Sequence, residues 1–305
     1  MKRTVVVPDL QVPYHDSVAV KNVASFIKAF RPDSVVTLGD EIDLPQISRW
    51  TENTPGWYEQ TLAADRDHTV DVLWSLTEYA KEAVVIRSNH TDRLYNVIMK
   101  KIPAFLALPE LRFERFMRLE ELGITYHKKP YAFAKGWVAV HGDEQGINPN
   151  AGLTALGAAR RHGLSVVCGH THRAGSSAFT EASGGKIGRI LRGVEGGHLM
   201  DIRKAAYTKG TMNWQQAFII VEDTQVTLIN LEKDGTFTNA ERRIQPVQKV
   251  MEPANGYEDW QVTQMLANAI GCGWTYTHAS QVLDEIARLT PTFAGVSWDR
   301  IVSGE

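Results

Sequence analysis

The sequence predicts an α/β fold in which helices pack on a mostly parallel sheet. Five short runs rich in β-branched residues are separated by segments of helical length, and the runs are continuously apolar. Continuous apolar runs are typical of strands that are buried on both faces. Strands that alternate with helices favour parallel pairing, because each helical crossover returns the chain to the same end of the sheet.

The predicted elements of the first half follow one another in regular order. The strands are Thr4–Val7, Ser34–Leu38, Ala83–Ile86, Trp137–Val140 and Leu164–Cys168. Apolar residues recur at nearly helical spacing in two intervening segments, which predicts helices over Ser17–Phe30 and Leu62–Tyr79. A further helix is expected over Phe105–Leu122, although Pro103 and Pro109 interrupt its pattern.

The pattern changes after His172, where short strands separated by tight turns predict an antiparallel sheet that completes the fold. Pro246 to Asn255 is the expected linker, and two amphipathic helices follow it at Tyr257–Ile270 and Ala279–Leu289. We therefore expect one domain over residues 1–245 and a linker with a helical extension over residues 246–305. The later strands are expected at Ala178–Thr180, Ile187–Leu191, Ala217–Val221, Val226–Asn230 and Thr236–Arg242.

Composition excludes several classes of protein. Lys and Arg number 33 against 35 Asp and Glu, which excludes a strongly basic nucleic-acid coat and an acidic disordered tail. The two cysteines, Cys168 and Cys272, cannot hold together a fold of 305 residues. No apolar run approaches the roughly 18–20 residues of a membrane-spanning helix, so we expect a cytoplasmic protein without a membrane partner.

Polar residues follow each of the five buried strands. Because ligands bind at the carboxyl ends of parallel strands, we expect these clusters to converge on one crevice. Their carboxylate, amide and imidazole groups suit manganese, iron or zinc better than a thiolate site would. One such cluster alone is usually a turn or a helix cap, but five in order predict a metal centre. The clusters are Asp9-Leu10-Gln11, Gly39-Asp40-Glu41-Ile42-Asp43, Ser88-Asn89-His90, His141-Gly142-Asp143 and Gly169-His170-Thr171-His172.

This ordered set of motifs resembles that of the calcineurin-like metallophosphoesterases over roughly residues 1–245. The run Asp9-Leu10-Gln11-Val12-Pro13 and the run Asn89-His90-Thr91-Asp92-Arg93 are most similar to bacteriophage and bacterial members. The resemblance implies a four-layer α/β/β/α sandwich, the metallo-dependent phosphatase fold, with a small helical extension. It also implies the host cytoplasm as the location if a bacteriophage encodes the chain.

The resemblance implies two divalent metal ions bridged by Asp40, with manganese favoured and iron, zinc, nickel or cobalt as alternatives. Asp9 and His172 would complete one site, where Gln11 stands in place of the usual histidine. An amide is a poor ligand, so we expect this site to bind its ion more weakly. The ligands of the second site would be Asn89, His141 and His170.

The resemblance implies hydrolysis of phosphodiesters, with phosphomonoesters as an alternative, by attack of a hydroxide shared between the two metals. The candidate substrates are small cyclic or linear nucleotides, model diesters, and DNA or RNA ends. His90 would assist the leaving group beside the bridging Asp40, and Arg93 is a candidate phosphate contact. Thr91 stands where an acidic residue often orients this histidine, which leaves Asp92 or Asp43 as substitutes.

Two alternatives remain open for the function. One is a nuclease acting on DNA or RNA ends, as a subunit that needs a partner. The basic stretch with Arg112, Arg115 and Arg118 and the helical tail are its motivating features. These arginines are interleaved with glutamates, so a solvated face of ion pairs is the simpler interpretation. The other alternative is a binding scaffold that keeps the fold without turnover, as the glutamine in the first site suggests.

The last 50 or so residues resemble a short helical segment of molybdopterin oxidoreductases such as formate dehydrogenases. Asp259-Trp260-Gln261 and the run from Leu289 to Ser297 carry this resemblance. The segment has no iron–sulfur cysteine run or redox motif, so we interpret it as a helical cap or a surface for homo-oligomers. Trp214, which precedes a predicted strand, is interpreted as a packing residue.

Overall fold

The computed structural model describes residues 2–49, 51–53, 57–204, 213–231, 235–238, 244–247, 257–290 and 293–303. The chain divides into two compact units, Met1–Asn230 and Leu231–Glu305. No helix in these described ranges is long and apolar enough to cross a membrane.

The first unit contains strands β1 to β11 and helices α1 to α5. The strands are β1 (Arg3–Val7), β2 (Ser34–Thr37), β3 (Glu82–Ile86), β4 (Ile124–His127), β5 (Tyr131–Ala134), β6 (Trp137–Val140), β7 (Ser165–Cys168), β8 (Ala174–Ser183), β9 (Lys186–Gly196), β10 (Ala217–Glu222) and β11 (Gln225–Asn230). The helices are α1 (Ser17–Phe30), α2 (Leu62–Thr77), α3 (Asn89–Lys101), α4 (Phe113–Phe116) and α5 (Leu153–His162).

Two sheets form the body of this unit. The first has the order β11-β10-β1-β2-β3-β4, in which β1 to β4 are parallel and β10 runs antiparallel to both of its neighbours, β1 and β11. The second has the order β5-β6-β7-β9-β8, in which β6, β7 and β9 are parallel. The five strands that the sequence predicts from their apolar runs are all present, but they are divided between the two sheets.

The sheets pack face to face, and each outer face carries helices. Val6 and Val36 of the first sheet share one buried cluster with Ala139 and Val167 of the second. On the outer face of the second sheet, three alanines of α5 pack against β6 and β7. On the outer face of the first sheet, Phe26 of α1 and Phe218 of β10 have ring centroids 5.2 Å apart. The predicted four-layer α/β/β/α sandwich is thereby confirmed.

The prediction of a single antiparallel sheet in the second half of the first domain is wrong. The β8–β9 hairpin joins the second sheet through β7, and the β10–β11 hairpin joins the first sheet through β1. Each hairpin satisfies the backbone groups along an otherwise open edge of a parallel sheet, and the sequence of a hairpin does not specify which edge it will cover.

The prediction of one helix over Phe105–Leu122 is also wrong. Short 3-10 turns occupy Pro103–Ala107 and Pro109–Leu111, and only the single turn of α4 is α-helical. Each proline lacks a backbone N–H and restricts the residue before it, so the chain restarts at each one. The spacing of Arg112, Arg115 and Arg118 therefore does not place them on one helical face.

The second unit contains strands β12 (Gly235–Thr238) and β13 (Ile244–Val247), which pair as an antiparallel hairpin. It also contains helices α6 (Asp259–Ala269), α7 (Ala279–Leu289) and α8 (Trp298–Ser303), so the predicted helical extension is present. The expected linker begins inside β13, and most of it lies outside the described residues. The division between the compact units falls at Asn230, while a domain boundary at residue 245 stays a prediction.

Candidate metal centre

The polar clusters that follow β1, β2, β3, β6 and β7 meet at one end of the sandwich. Strands of both sheets contribute, and their carboxyl ends face the same cleft. Two groups of side chains there could hold a metal ion, and the donor atoms of each group lie within 4.8 Å of one another. The groups are Asp40, His141 and His170, and Asp9, Asp40 and His172.

The group with Asp40, His141 and His170 also includes the amide of Asn89. His141 Nε2 lies 2.8 Å from Asn89 Oδ1 and 3.4 Å from Asp40 Oδ2. The other ring nitrogen, Nδ1, is 2.7 Å from the carbonyl oxygen of Leu38, which fixes the orientation of the ring. A backbone acceptor of this kind behind a histidine is the usual support for a metal-ligating imidazole.

The group with Asp9 and His172 includes Gln11, as the sequence predicts. His172 Nε2 lies 3.0 Å from Asp9 Oδ2, and Gln11 Nε2 is 3.0 Å from the same imidazole nitrogen. Gln11 also donates a hydrogen bond to Asp40 Oδ2 over 3.3 Å. The amide of Gln11 therefore lies among the donor atoms of this group.

The residues present fit a pair of divalent cations. Asp9 and Asp40 are almost fully buried, and Asp9 Oδ1 has no hydrogen-bond partner among the described residues. Gly169 lies directly against this oxygen, and a Cβ at that position would clash with it. An orphaned buried carboxylate oxygen is costly unless a cation binds it, and carboxylate and imidazole donors suit manganese, iron or zinc.

Positive charge already accumulates around the shared carboxylate. Burial opposes ionisation of Asp40, but the charges of His141 and His90 outweigh it and hold the pKa of Asp40 well below its usual range. Burial likewise opposes protonation of His141, yet Asp40 raises the pKa of this histidine to about 10. Both ring nitrogens of His141 accordingly face oxygen acceptors. The site thus stabilises positive charge next to the Asp40 carboxylate, and bound metal ions would supply that charge in place of the proton on His141.

The backbone at the ligands adopts an unusual conformation. Gln11, Asp40, His170 and His172 have φ values of 52°, 55°, 65° and 56°, in the left-handed region that non-glycine residues seldom occupy. Such conformations persist only where surrounding structure enforces them, and they concentrate at functional sites. Four of them at the predicted ligands therefore point to the same crevice as the side-chain chemistry does.

The start of α3 is locked against the end of β2. Ser88 Oγ accepts hydrogen bonds from the backbone N–H of Thr91 and from that of Asp40, each over 3.1 Å. The Ser88 N–H in turn donates to Thr91 Oγ1, which completes a capping box. Thr91, which stands where relatives of the resembled class often have an acid, therefore holds the helix start. A Cβ at Gly39 would lie 2.5 Å from Ser88 Cβ, so only glycine permits this approach.

The structure distinguishes between the two acids proposed to orient His90. His90 Nδ1 lies 3.0 Å from Asp43 Oδ1, whereas Asp92 forms two hydrogen bonds with Arg87. His90 Nε2 is 3.7 Å from Asp40 Oδ2 and 2.8 Å from a guanidinium nitrogen of Arg93. Arg93 also donates to the backbone carbonyl of Asp43, so the candidate phosphate contact is positioned beside His90.

A cleft of about 340 Å³ opens onto these groups. Three residues that line it were not predicted as site residues: Ser48, Thr51 and Trp214. The indole of Trp214 and the ring of His172 meet edge to face, with centroids 4.4 Å apart. No local motif marks these three residues, because long-range packing brings them to the cleft.

The fold and the site together define a class. A four-layer α/β sandwich with paired ligand groups at the carboxyl ends of its strands has the metallo-dependent phosphatase fold. No family model matches the sequence. The chain belongs to the family of the mycobacteriophage Gene 54 proteins. It is 34% identical to the Gene 54 protein of Mycobacterium phage D29 over 223 residues, which cover 71% of this chain and 87% of the relative. For phage L5 the identity is 33% over 226 residues, covering 72% and 88%.

A different relative matches a short part of the chain. A putative formate dehydrogenase of Staphylococcus aureus strain USA300 is 53% identical over 73 residues, which cover 24% of this chain and 7% of the dehydrogenase. The likeness to molybdopterin oxidoreductases is therefore confined to one segment.

The solved structures that this chain partly matches include two Vps29 proteins. A single-site mutant of Vps29 from Entamoeba histolytica is 15% identical with a TM-score of 0.38, covering 80% of this chain and 98% of that one. Vps29 from Cryptosporidium parvum is 13% identical with a TM-score of 0.36, covering 81% and 98%.

Proposed function

We propose that this chain is a metal-dependent phosphoesterase that hydrolyses phosphodiesters. The observation that carries the proposal is the sharing of Asp40 by the two candidate ligand groups. Two cations held on one carboxylate would lie side by side, which is the arrangement that stabilises both the attacking and the leaving oxygen of a phosphoryl displacement. Bound there, they would supply an activated water and neutralise charge on the phosphoryl group.

His90 is the proton donor in this proposal. Burial opposes its protonation, but the nearby carboxylates of Asp40 and Asp43 outweigh burial and raise the pKa of His90. Nδ1 lies 3.0 Å from Asp43 Oδ1, and Nε2 lies 3.7 Å from Asp40 Oδ2. Arg93 donates to Nε2 over 2.8 Å in the structure, so Nε2 can carry a proton and give it to the oxygen of the departing alcohol only once the guanidinium has turned to the phosphoryl group. Arg93, beside it, would bind the phosphoryl oxygens and orient them.

The test is hydrolysis of bis-p-nitrophenyl phosphate next to p-nitrophenyl phosphate, with manganese, with EDTA, and with manganese restored. We expect the diester to be cleaved with manganese, the activity to disappear with EDTA, and its return when manganese is added back. Asp40→Asn should abolish it, because the substitution weakens both ligand groups at once. Cleavage that persists in EDTA, or in Asp40→Asn, would refute the proposed site.

A scaffold without turnover is the second candidate. The observation that favours it is the amide of Gln11, which contacts His172 Nε2 inside the first ligand group. Manganese bound to a chain that cleaves neither ester would support this candidate over the phosphoesterase.

We further propose that the protein acts in the cytoplasm of a bacterial host on phosphate esters. This proposal is supported by the phage origin of its relatives, together with the lack of a membrane-spanning helix in the described residues. Homo-oligomerisation through the C-terminal helices stays a prediction. Sedimentation of the full chain tests it, and a monomer at all concentrations would contradict it.

A further inference from the structure

One aromatic side chain faces a cleft that is otherwise polar. Among the described residues that line it, Trp214 is the one with an apolar ring, and the others carry carboxylate, amide, hydroxyl, imidazole or guanidinium groups. Trp214 is half-buried, so part of the indole remains available to a ligand. It lies on the side of His172, and the cleft extends from there to His90 and Arg93.

The backbone next to Trp214 is fixed to the metal-ligand turn. The N–H of Gln215 donates to the carbonyl of His172 over 3.0 Å, and the carbonyl of Gln215 accepts from the N–H of His198 over 3.1 Å. The side chain of Gln215 accepts from the N–H of Ala174 over 3.2 Å. Three hydrogen bonds thus fix Gln215, the residue after Trp214, to the body of the sandwich. A platform fixed in this way loses little conformational entropy when a ligand stacks on it.

The cleft is larger than the volume that a phosphate group alone would occupy. At about 340 Å³ it is in the range of pockets that hold small organic molecules, roughly 300–1,000 Å³. Ser48 and Thr51 also line the cleft, where the Thr51 hydroxyl donates to the backbone carbonyls of Pro45 and Ser48. An aromatic platform next to a phosphate-binding centre matches the base and the phosphate of a nucleotide.

We propose that Trp214 stacks on a nucleobase, and that the substrates of this site are phosphodiesters of nucleosides. The inference rests on the phosphoesterase function proposed above and specifies its substrate class. Trp214 is a specificity-determining residue in this account, since it contacts the nucleoside and takes no part in bond cleavage. Every base has a π face, so stacking gives affinity for nucleosides without strong preference among bases.

The test uses two esters with the same leaving group. Thymidine 5′-(p-nitrophenyl phosphate) and methyl p-nitrophenyl phosphate both release p-nitrophenol, and they differ in whether a nucleoside or a methyl group stays on phosphorus. We expect Trp214→Ala to lower kcat/KM for the thymidine ester by about 5- to 150-fold, mainly through KM, as loss of one base stack implies. The methyl ester reports only the packing of Trp214 against His172 and should lose much less than the thymidine ester, and Trp214→Phe should recover most of the loss.

The control substitution is Trp74→Ala, which removes a half-exposed tryptophan of α2 that does not line the cleft. It should leave both substrates unaffected. Equal losses on the two esters in Trp214→Ala would assign the residue a packing role and overturn the inference. Unchanged kinetics on the thymidine ester would overturn it too. Failure of the wild type on both esters would instead refute the phosphoesterase function itself.

Binding can be separated from turnover in the manganese-loaded His90→Ala enzyme. Calorimetric titration with thymidine 5′-phosphate and with 2-deoxyribose 5-phosphate compares ligands with and without a base. The base should improve affinity only where Trp214 is intact, and equal affinities with Trp214 intact would contradict the inference. Oligothymidylate serves as a third substrate: cleavage that depends on Trp214 would assign the nucleosides to polynucleotides, and resistance would assign them to small nucleotide diesters.

Discussion

His90 and His141 lie in the same crevice, but their surroundings give them different tasks. His141 belongs to a candidate ligand group, whereas His90 contacts Asp43 and Arg93. We expect His90→Ala to lower kcat by on the order of 10²–10⁴-fold, as removal of a general acid does, with the bound metal retained. His141→Ala should lose manganese. Elemental analysis of both variants after gel filtration checks this, and loss of metal from His90→Ala would contradict it.

Gln11 tests the strength of the first ligand group. An imidazole binds manganese or zinc better than an amide, and histidine tolerates the left-handed backbone found at this position. Gln11→His should lower the manganese concentration for half-maximal activity by about tenfold or more. Substitutions at or next to metal ligands typically change metal affinity by this factor. Gln225→His, on an exposed position of β11, is the control. An unchanged metal requirement in Gln11→His would remove the amide as the cause of weak binding.

The end of β7 meets the end of β1 across the interface between the two sheets. Gly169 lies against Asp9 Oδ1, and the His170 N–H donates to Asp9 Oδ2 over 2.9 Å. Behind this turn, Thr171 Oγ1 donates to the fully buried Glu195 of β9 over 2.8 Å. The two metal-ligand clusters from opposite sheets are thus held together by contacts between strand ends, where a small displacement moves two ligands at once.

Gly169→Ala should therefore disturb the centre more than its size suggests. The added methyl group must displace the Asp9 carboxylate or the turn, and we expect about 10–100-fold weaker manganese binding with a loss of roughly 1–3 kcal/mol in the free energy of unfolding. Gly146→Ala is the matched control, because a Cβ there meets nothing within 4 Å. Metal titration and chemical denaturation measure both effects, and equal behaviour of the two variants would disprove the close contact.

For the molecule as a whole, the centre joins two sheets that otherwise meet through their apolar faces. Cations bound there stabilise the folded state by mass action, since the unfolded chain has no assembled site. Manganese at about 100 times its dissociation constant contributes about 2.7 kcal/mol, which for a unit of this size raises Tm by roughly 5–10 °C. EDTA should reverse the shift, and Asp40→Asn should reduce it. Differential scanning calorimetry is the measurement. A Tm that does not change when manganese is added would rule out manganese binding to the folded site.

Several elements could be predicted from sequence because their signals are local. The bounds of α1 match the predicted Ser17–Phe30, since its apolar stripe is regular and Asp16 caps the first turn. The strands of the parallel cores were equally clear from their apolar runs. Phe105–Leu122 failed because the prolines outweighed its apolar spacing, and the later hairpins were recognised but not their sheets.

The types of ligand and their order follow from the amino-acid sequence alone, because each motif is a few adjacent residues at the end of a buried strand. The shared role of Asp40 was expected before the structure, whereas packing of the sheets was needed to show that Asp43 rather than Asp92 contacts His90 and that Trp214 faces the cleft. Asp92 is close to His90 in the sequence and Asp43 is far from it, yet Asp43 is the one that contacts it in space. Asp92 is drawn to Arg87 and Asp143 lies on the same guanidinium, while Asp43 reaches His90 because β2 and β3 are neighbours in the first sheet. Such contacts depend on how sheets pack, which a short motif cannot encode.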